Sequence, residues 1–182
     1  MDTGARARSG PWLAVGAEIA EAVSRIEAAE FRTVLAEFSD PARRWFFSGQ
    51  GRSGLVAAMV AMRFMHLGRT AHVQGEATAP SIRQGDGILF VSGSGETPVT
   101  LHFARVARDE GARIVLVTHE PDSTLAGLAH AVLSIPVEST IQFGGSLFEQ
   151  AALVALDSVV YAVGAESSVP YQRMAFAHTN LK

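Results

Sequence analysis

The chain has 182 residues, 48% of them hydrophobic and 18% charged, with a formal net charge of -3. That is the length and composition of a single globular domain with a sizeable core, and a net negative charge argues against a non-specific nucleic-acid binder while leaving room for a local cationic pocket. The absence of cysteine removes disulfides, thiol nucleophiles and cysteine metal sites, and it fits a cytoplasmic protein.

Residues 1–10 carry Arg6 and Arg8 with no long apolar segment behind them, so they read as a flexible tail and not as a signal peptide. No apolar run reaches the ~18 residues of a membrane span. Pro11 to Phe38 reads as one helix. Pro11 suits a first helical turn, Leu13, Ile19, Val23 and Ile26 recur at near-helical spacing, and Ser39-Asp40-Pro41 breaks the pattern.

A regular alternation follows. Trp45-Phe46-Phe47 is a short buried strand, and a helix runs from about Leu55 to Leu67 with Gly68 as its C-terminal cap. Ala71–Val73 is a second strand and Gly87–Val91 a third; a helix from Pro98 to Glu110 ends at Gly111. Arg113–Val117 is a fourth strand, Ser123–Ala129 a short helix, Val132–Ile135 a fifth strand, and about Gly145 to Val163 the last long helix. Strands alternating with helices imply right-handed crossovers and a parallel sheet, and nearly continuous apolar strands imply a sheet covered on both faces. The expectation is a three-layer α/β/α domain over residues 11–169, its five parallel strands ordered 2-1-3-4-5, with residues 170–182 as a C-terminal tail. Such sheets bind ligands at the carboxyl ends of the strands, near the switch point between the first and third.

The first and third strands each run into a Gly/Ser loop and then a helix, so their loops should meet. Ser92-Gly93-Ser94-Gly95-Glu96-Thr97 offers three hydroxyls and two residues without side chains, ahead of a helix N-terminus that favours anions. Taken alone, phosphate binding and ordinary helix capping are evenly matched readings of it. Neither loop has the Gly-Lys-Ser/Thr ending of a nucleoside triphosphate loop. Gly49-Gln50-Gly51-Arg52-Ser53-Gly54 matches the dinucleotide pattern G-x-G-x-x-G, but Glu76 comes late after the second strand for a ribose partner. Arg52, and a second phosphate-type loop beside it, favour a small phosphorylated ligand spanning both. Glu149, in the first turn of the last helix, has two readings: a carboxylate favouring a helix N-terminus, or a base near the carbons of a sugar. The last helix is apolar almost all round, with Asp157 the main interruption. That pattern implies burial and favours a dimer or tetramer over a monomer.

These segments resemble the sugar isomerase (SIS) domain family, whose flavodoxin-like fold agrees with the sheet derived above. The Ser92–Thr97 run is similar to that family's phosphate loop. Within the family the likeness is to the 6-phospho-3-hexuloisomerases, carried by Gly51–Gly54, Ala61–Gly68, Gly75-Glu76 with Pro80, Gly145–Glu149 and the C-terminal His178-Thr179-Asn180-Leu181-Lys182. Gln50, Ala177 and Lys182 depart from the family pattern, and these departures bear on substrate identity.

The resemblance implies a cofactor-free, metal-free isomerisation of D-arabino-3-hexulose 6-phosphate to fructose 6-phosphate through a cis-enediol. It implies Glu149 as the base and a substrate- and phosphate-binding set of Ser48, Gly51, Arg52, Ser53, Ser92, Gly93, Ser94, Gly95, Glu96 and Thr97. It further implies a homotetramer or homodimer working beside hexulose-phosphate synthase, with no nucleic acid or membrane as partner.

Of the six histidines, none has metal-ligand spacing. His66 reads as a helix-end cap. His72, His102, His119 and His130 read as structural or surface residues, with His119 the one among them that follows a strand at the ligand-binding edge. The resemblance gives His178 a role in proton transfer, reaching the site of a neighbouring subunit. Two other readings stand beside the isomerase: a non-catalytic sugar-phosphate sensor, and a nucleotide-dependent oxidoreductase.

Overall fold

The computed structural model describes residues 10–180; residues 1–9 of the tail read over 1–10, and Leu181 and Lys182 of the C-terminal motif, lie outside them. In chain order the elements are α1 (Pro11–Ser24), α2 (Ala28–Glu37), β1 (Trp45–Gly49), α3 (Arg52–His66), β2 (Ala71–Val73), β3 (Gly87–Val91), α4 (Pro98–Asp109), β4 (Arg113–Thr118), a 3-10 turn (Ala126–Leu128), β5 (Ala131–Ser134), α5 (Ser146–Glu166) and α6 (Tyr171–Ala177). All strand pairs are parallel and the sheet order is β2-β1-β3-β4-β5, as the alternation of elements implies.

Period-two alternation splits the strand residues between two cores. Phe47, Leu89, Val115 and Leu133 pack toward α1, α2, α3 and α5. Phe46, Ile88, Ile114 and Leu116 pack toward α4 and the 3-10 turn. Each fully buried aliphatic or aromatic side chain contributes about 1.5–3 kcal/mol. Sliding a strand by one residue would exchange the two sets, so the register Phe47–Leu89–Val115 is held from both faces.

The helix expected over 11–38 is two helices. Arg25 and Ile26 close α1 by bonds to the carbonyls of Ala22 and Val23, and Glu27 is extended. The cause is tertiary. α1 lies along α5, whereas α2 lies on β5, where the Glu30 carboxylate accepts the Ser134 N–H at 2.7 Å. One straight helix cannot meet both surfaces, and no glycine or proline marks the break. The helix expected at Ser123–Ala129 is only a 3-10 turn, because the Leu125 N–H is committed to the Gly95 carbonyl (3.2 Å) across the site.

The segment expected as a tail holds α6, which packs on α3. α5 has 21 residues and is long and apolar enough to cross a membrane, which the search for uninterrupted apolar runs did not register. Half of it is buried inside the domain, through residues such as Phe148, Ala152, Leu156 and Val163, and that burial accounts for its apolarity.

Candidate functional site

β1 and β3 are hydrogen-bonded neighbours with Gly49 opposite Val91, so the loops that leave them lie side by side at the carboxyl edge of the sheet. The first loop is shaped by close backbone approach. A Cβ on Gly49 would lie 2.7 Å from the Ser53 carbonyl carbon, and one on Gly54 2.8 Å from the Gly49 oxygen. The glycines of the G-x-G-x-x-G pattern thus let strand and helix touch, which is sufficient reason for them without a dinucleotide. Gly51, at φ 58°, turns the chain into α3.

The second loop is pinned to β4 and to the turn beyond it. Ser92 N–H donates to the Val117 carbonyl (3.0 Å), and the Thr118 hydroxyl and His119 N–H both donate to the Gly93 carbonyl (2.7 and 3.2 Å). Ser94 Oγ accepts the Glu96 N–H at 3.2 Å. The Glu96 carboxylate accepts the Thr124 N–H at 2.5 Å, and that bond holds it below the usual carboxylate range. Glu96 is therefore engaged as a latch between loops.

The balance between capping and anion binding shifts once the helix ends are seen. Among the described residues, the N-termini of α3, α4 and α5, like those of the other helices, have no side-chain cap hydrogen bond, although Thr97 occupies the cap position of α4. The Gly54 N–H of α3 and the Ser146 N–H of α5 turn back to the carbonyls of Gly51 (3.1 Å) and Phe143 (3.3 Å), and the other orphan N–H groups of these first turns are open to water or a ligand. Ser48, 2% exposed at the end of β1, has a buried Oγ with no hydrogen-bond partner. An orphaned buried hydroxyl costs about 1–3 kcal/mol, which a phosphate oxygen would recover. Ser53 and Ser92 are buried beside it in sequence and strand order.

Glu149 joins this cluster from α5. Its Oε2 accepts from Arg52 Nε, an ion pair that bridges the first turns of α3 and α5. The Glu149 side chain is 13% exposed and that of Arg52 59%. A mostly buried carboxylate is thereby held by a solvent-facing cation.

Two residues outside the sequence-derived set contribute. His119 packs its ring edge-on against Phe148 at 5.5 Å, and a Cβ on Gly93 would meet that ring at 3.1 Å, so it walls the Ser92–Thr97 loop on the side of Phe148. Its position after β4 at the ligand-binding edge was the available signal. Glu18, on α1, accepts from Thr140 Oγ1 (2.8 Å), Ile141 N–H (2.8 Å) and Gln142 Nε2 (3.2 Å), fixing the loop that leads into α5. A contact spanning 122 residues left no local trace in the sequence.

The structure does not bring His178 to these loops within one chain. Its Nδ1 lies 3.3 Å from His66 Nε2, at the far end of α3, about 21 Å of helix from Arg52. Burial, then His178 and Arg63 nearby, holds the His66 imidazole below its ordinary value. Among the described residues no group of three His, Cys, Asp or Glu side chains is placed to hold a metal ion.

Comparison with known proteins places this geometry. A 3-hexulose-6-phosphate isomerase of Mycobacterium gastri is 38% identical over 173 residues, covering 91% of this chain and 86% of that one. The Bacillus subtilis protein of the same name is 35% identical, covering 75% of this chain and 79% of that one. A Methanococcus jannaschii crystal structure, described as inferring a molecular function of 3-hexulose-6-phosphate isomerase, superposes with a TM-score of 0.84 at 25% identity, covering 94% of this chain and 98% of that one. The SIS domain model matches residues 40–162, which carry both glycine loops and Glu149, and the chain belongs to the SIS domain family.

Proposed function

We propose that this protein is a cofactor-free isomerase that interconverts D-arabino-3-hexulose 6-phosphate and fructose 6-phosphate. The observation that carries the reading is the Arg52–Glu149 pair bridging the uncapped N-termini of α3 and α5, together with the orphaned Ser48 hydroxyl. The names of the Mycobacterium gastri and Bacillus subtilis relatives give the substrate.

The phosphate occupies the cradle of Ser48, Ser53, Ser92, Ser94 and Thr97, with the Gly51, Gly93 and Gly95 backbone beside it; Glu96 holds the cradle's shape. The sugar chain then extends toward α5. Glu149 removes the proton from C2 of the 3-ketose, leaving a 2,3-enediolate. Arg52, released from Glu149 as that carboxylate takes the proton, stabilises the developing oxyanion. A proton passes from the C2 hydroxyl to the oxygen on C3, Glu149 returns its own proton to C3, and the carbonyl is left at C2. One carboxylate serves both steps because the two carbons are adjacent. His178 assists from a neighbouring subunit of a homodimer or homotetramer. The enzyme works in the cytoplasm beside hexulose-phosphate synthase, which supplies its substrate.

The test is proton exchange. Fructose 6-phosphate incubated with the protein in heavy water should gain deuterium at C3, read by NMR, and Glu149→Gln should lose at least about a hundredfold of that rate, a general-base contribution. Undiminished exchange in the variant contradicts Glu149 as the base; no exchange and no isomerisation by the folded parent contradicts the function.

A further inference from the structure

A phosphate monoester is a dianion near neutral pH, and the cluster that would receive it is short of positive charge. Glu96 and Glu149 both belong to the cluster, and its arginine, Arg52, is already paired with Glu149. Lysine does not make up the difference, since the chain has one lysine, Lys182, at its end. Hydroxyls and backbone N–H groups donate hydrogen bonds without carrying a charge, and helix N-termini supply partial charge only.

His119 stands beside this deficit. Residues 118–120, where β4 ends, are tied to the glycine loop. The fully buried Thr118 hydroxyl donates to the Gly93 carbonyl (2.7 Å) and accepts the Glu120 N–H (3.0 Å), and the His119 N–H donates to the same carbonyl (3.2 Å). The ring is fixed as well. It meets Phe148 edge-on, and Glu120 Oε1 lies 3.3 Å from its Nδ1. The remaining edge, Nε2 and Cδ2, faces the loop, each atom 3.1 Å from where a Cβ on Gly93 would be. Glycine at 93 is what lets the ring lie that close. Among the described residues, the ring's partners are Phe148 and Glu120, and neither occupies Nε2. The side chain is 31% exposed, so a ligand from solvent can reach that nitrogen.

We propose that His119 is the cationic group of the ligand site, its imidazolium donating from Nε2 to the phosphate held over the Ser92–Thr97 loop. Glu120 is a positioning residue behind it. A carboxylate at Nδ1 keeps a proton there, so the ring gains its charge and its Nε2 donor together. The remaining charged groups on the elements packed against the ring are Asp122 on its own loop, Glu96, held by the Thr124 N–H, and Glu149, held by Arg52. A dianion beside an imidazole favours the charged ring. Binding therefore draws one proton from solvent onto Nε2, and no bond is made or broken in the ligand. The proposal rests on the phosphate cradle described under the proposed function, and supplies the charge that the cradle lacks.

The experiment measures binding, with a ligand that cannot react. Sorbitol 6-phosphate has no carbonyl to isomerise. At about pH 7.5 an ordinary imidazole is mostly neutral and a phosphate monoester mostly dianionic. Calorimetric titration in two buffers of different ionisation enthalpy counts the protons taken up. The wild type should take up at least about half a proton per site. His119→Phe keeps a ring against Phe148 but has no nitrogen. It should bind about 10–100-fold more weakly, the loss of one hydrogen bond to a charged group, and without uptake. His119→Gln restores a neutral N–H, so it should regain part of the affinity and none of the uptake. A wild type that binds with less uptake, or a His119→Phe variant that keeps the affinity or the uptake, overturns the proposal and leaves the isomerase reading standing. The uptake is read on the wild-type chain, so it decides even where a variant does not fold. A wild type that does not bind sorbitol 6-phosphate at all refutes the cradle itself, and the proposal with it.

Discussion

Replacing Gly95 by alanine probes the Ser92–Thr97 loop at its tightest point. The backbone there sits at φ 63°, in the left-handed region, where an L side chain costs about 1–2 kcal/mol. The added Cβ would also lie 2.0 Å from Ser123 Oγ and 2.5 Å from Ser123 Cβ, while its next neighbour, Leu125 Cβ, is at an ordinary 3.7 Å. Displacing a packed neighbour costs a further ~1–3 kcal/mol. Only a long bond from Ala126 N–H (3.4 Å) opposes movement of the Ser123 hydroxyl, but the backbone on either side is tied to the loop through Glu96–Thr124 and Gly95–Leu125. The sum is about 2–5 kcal/mol, or roughly 5–15 °C in Tm for a chain of this size.

The two contributions separate in a double-mutant cycle. Ser123→Gly removes both clashing atoms, so in that background Gly95→Ala should cost only the backbone term of about 1–2 kcal/mol. Urea unfolding of the four proteins reads both costs. Equal costs in the two backgrounds would refute the Ser123 clash, and a cost below about 0.5 kcal/mol throughout would refute the left-handed assignment.

Ser48→Ala should leave stability unchanged or raise it by up to about 1 kcal/mol, since it removes an orphaned buried hydroxyl. The KM for the sugar phosphate should rise about 10–100-fold, the loss of one hydrogen bond to a charged group; a stability loss with unaltered KM would make Ser48 structural. Burial holds His66 and His130 below their ordinary values, and His130 Nδ1 accepts the Ile114 N–H at 2.9 Å. The unfolded chain therefore takes up protons first, so this stability is full above about pH 6.5 and is lost as pH falls through the folded-state values. Urea midpoints should decline below that pH, and the decline should flatten in His66→Phe/His130→Asn; an equally steep decline in that variant would contradict the assignment.

The sheet and its loops were legible because their signals are local. β3 and β4 read as near-continuous apolar runs, and each glycine loop follows a strand directly, so strand order alone brought Ser48 and Ser92 to one edge. What was not legible depends on distant partners. The break after Ser24 exists because α1 and α2 meet different surfaces, and α6 forms on α3 where the composition alone suggested a tail. The Arg52–Glu149 pair spans 97 residues, and neither residue's own segment announces that it has an ionic partner. His66 and His178 illustrate the same limit: one reads as a helix cap and the other as tail, yet their rings lie 5.2 Å apart.

The most direct measurement supplies the purified protein with hexulose-phosphate synthase, ribulose 5-phosphate and formaldehyde, with no added cofactor, and follows fructose 6-phosphate. The account calls for steady product formation that depends on the protein and collapses in Glu149→Gln. Accumulation of the hexulose phosphate beside a folded, sugar-phosphate-binding protein would contradict it.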